Sequence, residues 1–368
     1  MCRRCFRISR KHASPFHSQK DPILTMNRNT RSVLSRGLCS TCLLFTLLAS
    51  NAHARNTAEK NEPGLAGNIK LMVGVTHSTP ALGAVSDENK TIENFTQDAD
   101  SETTLFPIAL WKLAYTFGNR RTALYAGTPD TNIVKGTYIM EVGARHQVDN
   151  GTTVSLSWIP DIPLLDNEVW KDPFLTGSDR EETERDAQAF RLKAETIYGT
   201  PFYASFAIGY TDIEEEESGQ SLTSDPVDLD ALRRSSDAYQ LETGIRMPLN
   251  RALIAGAALT YLRNEADGEA NCFDDVGGKV ALVFRHPDFQ AFTNLSADLG
   301  TYDASHPVFD ETREDRGYSA SMGMEVPFDW NTLRLSFSLI MRYSRTDSSI
   351  NFYDSDSTMV GVGTTCRF

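Results

Sequence analysis

The chain has 368 residues, 40% of them hydrophobic, and a formal net charge of −13. Residues 1–54 carry nine Lys and Arg against one Asp, so the remaining 314 residues hold 27 basic and 48 acidic side chains, a balance of −21 that argues against nucleic acid as a partner. No stretch beyond residue 54 approaches the run of about twenty apolar residues that a helical span needs, so a membrane reading must rest on strands; the length suits one large barrel as well as two ordinary domains.

Residues 1–25 read as an over-long start. Met26 opens a better one: Arg28, Arg31 and Arg36 form a basic region, residues 43–48 are apolar, and Ala52-His53-Ala54 is a small-residue cleavage site. Residues 26–54 are therefore expected to be a signal peptide cut after Ala54, with one domain over 55–368. Cys39 and Cys42 lack the small-residue setting of a lipoprotein signal. Of the two cysteines beyond the leader, Cys272 is expected in an outer loop and Cys366 at the inner end of the last strand, so no intramolecular bridge is predicted.

Apolar and polar residues then alternate along nearly the whole chain, with the strand period of two. Phe190, Leu192, Ala194, Thr196 and Tyr198 face away from Arg191, Lys193 and Glu195; Tyr239, Leu241, Thr243, Ile245 and Met247 alternate with Gln240, Glu242, Gly244 and Arg246. Leu333, Leu335, Phe337, Leu339, Met341 and Tyr343 alternate with Arg334, Ser336, Ser338, Ile340 and Arg342. About fourteen segments of roughly ten residues, the span of a tilted membrane strand, begin near residues 67, 104, 121, 137, 152, 188, 202, 237, 252, 279, 289, 318, 333 and 358. The count is good to two strands.

Short turns near 117–119, 149–151, 198–201, 248–250 and 286–288 carry Gly, Asn, Pro and Asp. They alternate with long polar stretches near 78–102, 160–187, 212–236, 263–278, 303–317 and 345–357. Aromatics gather at segment ends: Tyr115, Phe117, Tyr198, Phe202, Phe284, Phe289, Phe328 and Trp330 by the short turns, and Tyr210, Tyr261, Tyr302, Tyr318 and Tyr343 towards the long loops. Unequal connectors and two aromatic girdles predict an all-β, antiparallel up-and-down transmembrane barrel with short periplasmic turns and long extracellular loops. A secreted β-sandwich is the competing fold. Ser224-Asp225-Pro226 predicts a capped short helix in a long loop. Phe368 ends the last strand as an outer-membrane assembly signal does.

If the apolar face meets lipid, the other face carries Lys70, Lys112, Arg145, Arg191, Lys193, Arg246, Lys279, Arg285, Arg334, Arg342 and Arg367, but only Glu141, Glu195, Glu242, Asp298 and Glu325 as acids. Charges at mid-strand face neither hydrocarbon nor a dry core cheaply, so a water-containing, cationic lumen is expected. The alternative is a plugged barrel braced by paired charges. Residues 158–165 are unusually apolar for an outer loop and either fold into the mouth or pack on neighbouring loops. The acidic loops (Glu214 to Glu217, Asp274 with Asp275) are either solvated faces or bind lipopolysaccharide phosphates through divalent cations. The Asp354-Ser355-Asp356 fragment lacks calcium-loop spacing. His77, His146, His286 and His306 show neither metal-ligand spacing nor a nucleophile motif, and no phosphate loop occurs, so no enzyme activity, metal or cofactor is expected.

The Gly64-Leu65-Ala66-Gly67-Asn68 opening and the Trp158-Ile159-Pro160-Asp161 segment resemble a family of outer-membrane proteins of marine gammaproteobacteria known as a domain of unknown function, over residues 64–368. The architecture is also similar to fourteen-stranded monomeric porins. These resemblances imply a monomer in the outer membrane of a Gram-negative bacterium, in contact with lipid, lipopolysaccharide and the barrel assembly machinery. The expected function is a porin-like diffusion channel for small polar or anionic solutes. The alternative is a non-conducting structural or surface-interaction barrel.

Overall fold

The computed structural model describes residues 62–128, 140–160, 168–330 and 333–368. The leader expected at 1–54, with Ala52 and Ala54, lies outside these residues, as do residues 161–165 of the apolar loop, the start near 137 expected for the fourth strand, and the Trp330 side chain.

Fifteen strands occur among the described residues. In order they are β1 (Gly64–Thr79), β2 (Glu102–Thr116), β3 (Thr122–Gly127), β4 (Glu141–Gln147), β5 (Thr153–Ile159), β6 (Glu168–Trp170), β7 (Glu182–Glu195) and β8 (Phe202–Ile213). They continue with β9 (Ser236–Pro248), β10 (Leu253–Ala266), β11 (Phe273–Arg285), β12 (Gln290–His306), β13 (Glu311–Trp330), β14 (Leu333–Ser348) and β15 (Ser355–Arg367). Sequence neighbours pair antiparallel, β15 returns to pair with β1, and β5 pairs with β7, so fourteen strands close into a ring and β6 is a three-residue addition to the far end of β7. Closure removes the unpaired edges that an open sheet would expose to lipid. At the seam, the Phe368 N–H donates to the Gly67 carbonyl at 3.0 Å and the Gly67 N–H donates to that of Phe368 at 2.9 Å.

Alternation explains which face is which. On β1, Leu71, Val73 and Val75 are exposed while Met72 between them is 4% exposed. Every strand of the ring presents at least one exposed large apolar side chain, among them Leu124 on β3, Leu156 on β5, Leu192 on β7, Leu259 on β10, Met322 on β13 and Val362 on β15. A sandwich would bury these residues between sheets; a belt of them around a closed barrel is what a bilayer solvates. At the short-turn end, Tyr115 and Phe117 meet edge-to-face at 5.4 Å, and Phe284 lies 5.8 Å from Phe289.

The short turns close by Asx geometry. Asn119 Oδ1 accepts from the Arg121 and Thr122 amides, and Asn250 Oδ1 from those of Ala252 and Leu253. At the opposite end the strands run further than ten residues. β12 has 17 residues and β13 has 20, so much of the stretches expected as loops at 263–278, 303–317 and 345–357 is strand, with short connections over 267–272, 307–310 and 349–354. Above the apolar belt the outward positions become charged. Arg263 on β10 pairs with Asp303 on β12 at 2.6 Å and Asp274 on β11 at 3.4 Å. Backbone pairing continues there without the apolar signal that reveals it lower down. The capped helix forms as expected: α1 (Pro226–Ala231) has Asp225 accepting from the Val227 amide at 2.9 Å. Cys272 and Cys366 are free thiols near opposite ends of the barrel.

Candidate pore: lumen wall and loop roof

The register fixes which residues share the concave face, because antiparallel partners point the same way. Lys70 lies opposite Thr365 and Leu110; Lys112 opposite Gly127; Arg145 opposite Ser155; Arg191 opposite Ser157. Continuing round, the inner face takes Lys193, Glu195, Glu242, Arg246, Lys279, Arg285, Asp298, Glu325, Arg334, Arg342 and Arg367, with Glu141 beside Gly127. Several ion pairs join side chains of this set. Lys70 on β1 reaches Glu325 on β13 at 2.7 Å, and Arg367 on β15 contacts the same carboxylate. Arg191 on β7 reaches Glu141 on β4 at 3.1 Å, and Lys279 on β11 reaches Glu242 on β9 at 2.7 Å.

Four of the five expected acids are thus neutralised, the fourth pair being Lys193 with Glu195 at 2.8 Å. Tyr125 and Tyr203 donate to Glu141 and Glu242 at 2.9 and 3.1 Å. The guanidinium groups of Arg145, Arg246, Arg285 and Arg342 make no hydrogen bond or ion pair to a described residue, and the buried Nε of Arg342 has no partner. The wall is therefore a set of satisfied pairs plus surplus positive charge. Sequence reading missed Arg185, Asp275, Arg313 and Asp315, which also face inwards but lie on the strand extensions it took for loops. Asp275, Asp298 and Asp315 share one sector of wall towards the long-loop end, so the lumen is not cationic throughout.

The inner face is not polar throughout either, which corrects the simple division of an oily outside and an ionic inside. Met72, Ile108, Leu110 and Ile340 form a buried cluster, with Phe106, Phe292 and Met359 packed on it. Its members come from β1, β2, β12, β14 and β15, so the cluster covers a wide arc of the ring. Glycines make room: a Cβ at Gly323 would stand 2.5 Å from the Phe292 ring, and one at Gly361 would stand 3.3 Å from Met72 Cε. Apolar packing occupies this side of the bore. Along β7 to β13, overlapping that cluster only at β12, lies a cavity of about 190 Å³ lined by Arg191, Lys193, Glu195, Tyr203, Glu242, Arg246 and Lys279.

A second apolar core lies at the long-loop end. Leu82, Ile92, Phe174, Leu232, Ile350 and Phe352 are buried together, joined by Phe95, Val308, Phe309 and Tyr353. These residues come from the β1–β2, β6–β7, β8–β9, β12–β13 and β14–β15 connections, which are spaced around the ring. A core shared by all five must lie over the barrel axis. Arg180 staples it: Nη1 donates to the Leu82 and Pro173 carbonyls at 2.8 and 2.9 Å, Nη2 donates to that of Asn89, and the guanidinium stacks 4.7 Å from Trp170. Burial lowers its pKa to about 10. Asp172 accepts from the amides of Phe174, Gly219 and Ser221, tying two loops together. Of the apolar 158–165 segment, Trp158 faces outwards and Ile159 is buried on the inner side.

No metal-binding group of three or more His, Cys, Asp or Glu occurs among the described residues. The histidines among the described residues are dispersed: His77 meets Thr103, His146 meets Thr122, His286 meets Asp288 and His306 meets Tyr353.

Residues 64–366 match the family model DUF2860, described as a protein of unknown function. The chain belongs to this family. No curated protein matches it. Similar solved structures include OmpT, an outer-membrane protein of Vibrio cholerae (9% identity, 83% of this chain and 99% of that one, TM-score 0.41). Others are the outer-membrane channel DcaP of Acinetobacter baumannii (11% identity, 83% and 98%, TM-score 0.38) and an anion-selective porin from Comamonas acidovorans (9% identity, 83% and 100%, TM-score 0.37). Among its described residues the DUF2860 chain forms a closed fourteen-strand barrel with a partly filled lumen and a folded loop roof.

Proposed function

We propose that this DUF2860 protein is an outer-membrane, porin-like diffusion channel for small polar or anionic solutes. The observation that carries the reading is the inner wall itself: Arg145, Arg246 and Arg285 have no acidic partner among the described residues, yet stand on the side of the bore that holds the cavity or next to it. An unpaired guanidinium stays charged, so it calls for water or a mobile anion beside it. Rings of such charge bias which ions pass. The protein reaches the membrane after removal of its leader, inserts through the assembly machinery with Phe368 as signal, and acts as a monomer among lipid and lipopolysaccharide.

Reconstitution in a planar bilayer tests this. Stepwise conductance with anion preference is expected, and replacing Arg145, Arg246 and Arg285 with Glu should turn the preference towards cations. Unchanged selectivity in that variant would refute the lining.

The apolar roof favours a second reading, a barrel that does not conduct and presents its acidic loops to something outside. A bilayer that stays silent at all voltages, with correctly folded protein in it, would decide for that reading.

A further inference from the structure

The cavity beside β7 to β13 has an uneven charge balance that specifies a ligand class. Lys193 is matched by Glu195 and Lys279 by Glu242, each within 2.8 Å, and Arg191 by Glu141 at 3.1 Å, whereas the exposed guanidinium of Arg246 in the same cavity has no hydrogen bond or ion pair to a described residue. Apolar packing centred on β14 to β2 crowds the bore towards this wall. We propose that the cavity is a binding site for a hydroxylated monocarboxylate, a sugar acid, whose carboxylate pairs with Arg246. The inference rests on the channel reading for its physiological meaning, but the site stands on its own geometry.

Each element of the ligand answers to a feature of the wall. A planar guanidinium takes a carboxylate through two parallel N–H donors. One surplus cation suits one negative charge; a second or third would meet Glu195 and Glu242. The two ion pairs set ammonium donors and carboxylate acceptors side by side. A hydroxyl both donates and accepts, so it can bridge such a pair where an aliphatic carbon cannot. Tyr203, which donates to Glu242 at 3.1 Å and has the Lys193 ammonium 5.8 Å from its ring centre, gives the ring of a sugar an aromatic edge to rest on.

The test uses full-length protein refolded in detergent, with binding of glucuronate, glucose, butyrate and citrate followed by calorimetry, and conductance measured separately in potassium chloride. Glucuronate is expected to bind about tenfold tighter than glucose or butyrate, and Arg246→Gln to abolish that advantage, since one charge-assisted pair is worth roughly a factor of ten. Arg120→Gln, which removes an exposed cation in a short turn outside the cavity lining, should leave it intact. Equal binding of glucuronate and glucose, tighter binding of citrate, or an unaffected Arg246→Gln variant would overturn the site while leaving any observed conductance in place. Selective binding by a barrel that never conducts would uphold the site and overturn the channel.

Discussion

His306 shows how a single buried group commits the roof to a pH range. It is 2% exposed; its Nδ1 accepts from the Val308 amide at 3.2 Å and its Nε2 meets the Tyr353 hydroxyl at 3.0 Å. With Nδ1 accepting, the ring's one proton sits on Nε2, and both nitrogens are satisfied only in the neutral form. Phe174 and Phe309 pack at 5.3 and 4.9 Å, and the Arg313 guanidinium lies 3.6 Å from the centre of the Tyr353 ring next door. Burial first, and then Arg313, push the His306 pKa down to about 4. The folded roof therefore binds fewer protons than an opened one, and the contribution present above pH 6.5 drains away as pH falls towards 4. A gap of this size corresponds to about 3 kcal/mol. Protease cleavage of the roof loops should accelerate over that interval. His306→Gln, which cannot take up the proton, should flatten the dependence; an equally acid-sensitive variant would point to another group. Arg180 is the complementary case. Arg180→Met strands three buried carbonyls and should loosen the same loops by about 3 kcal/mol or more at neutral pH, with the barrel's own melting unmoved.

Elements differ in how far they can be read from sequence, and the reason is the solvent each face meets. Lipid accepts only apolar side chains, so Leu71-Met72-Val73 or Leu241-Glu242-Thr243 announces a strand, and the ring of fourteen follows from counting such stretches. The inner face has no such rule. Met72 and Ile108 turn inwards as readily as Lys70 does, because Gly74, Gly361 and Gly363 leave space for them, and nothing in a period of two reveals that packing. Charged strand ends are equally silent: Arg263, Asp274 and Asp303 read as loop although they sit in regular pairing. Of the candidate site, parity brought out the sixteen charged positions, but not which were neutralised, since Lys70 and Glu325 are 255 residues apart and meet only when the ring closes. Gly323→Val tests the inner packing. Its new side chain would collide with the Phe292 ring, where overpacking typically costs about 1–3 kcal/mol. The folded, fast-migrating band on unheated gels should vanish at a lower temperature, and adding Phe292→Ala should restore it. Failure of the second change to rescue would mean that the two residues do not share the space.

At the scale of the molecule, charge and apolar packing are sorted along the axis. Surplus positive charge stands beside a half-filled bore, three inner carboxylates lie nearer the long loops, and a dry core bridges the mouth. Such a core separates two properties that one constriction would join. On the proposed channel reading, the roof would limit passage and Arg145, Arg246 and their neighbours below it would set selectivity. Exposed charges more than about 8 Å away are largely screened at physiological salt, so the acidic loops cannot override guanidinium groups that a permeating ion touches. Replacing residues 80–100 with a short Gly-Ser linker removes Leu82, Ile92 and Phe95 from the roof and two of the three carbonyl partners of Arg180, without touching any strand of the ring. Single-channel conductance should then rise severalfold with anion preference preserved. A preference that fell in step with the rise would move the selecting charges up into the loops, and an unchanged conductance would put the narrowest point in the lumen, between the Met72 cluster and the Arg246 wall.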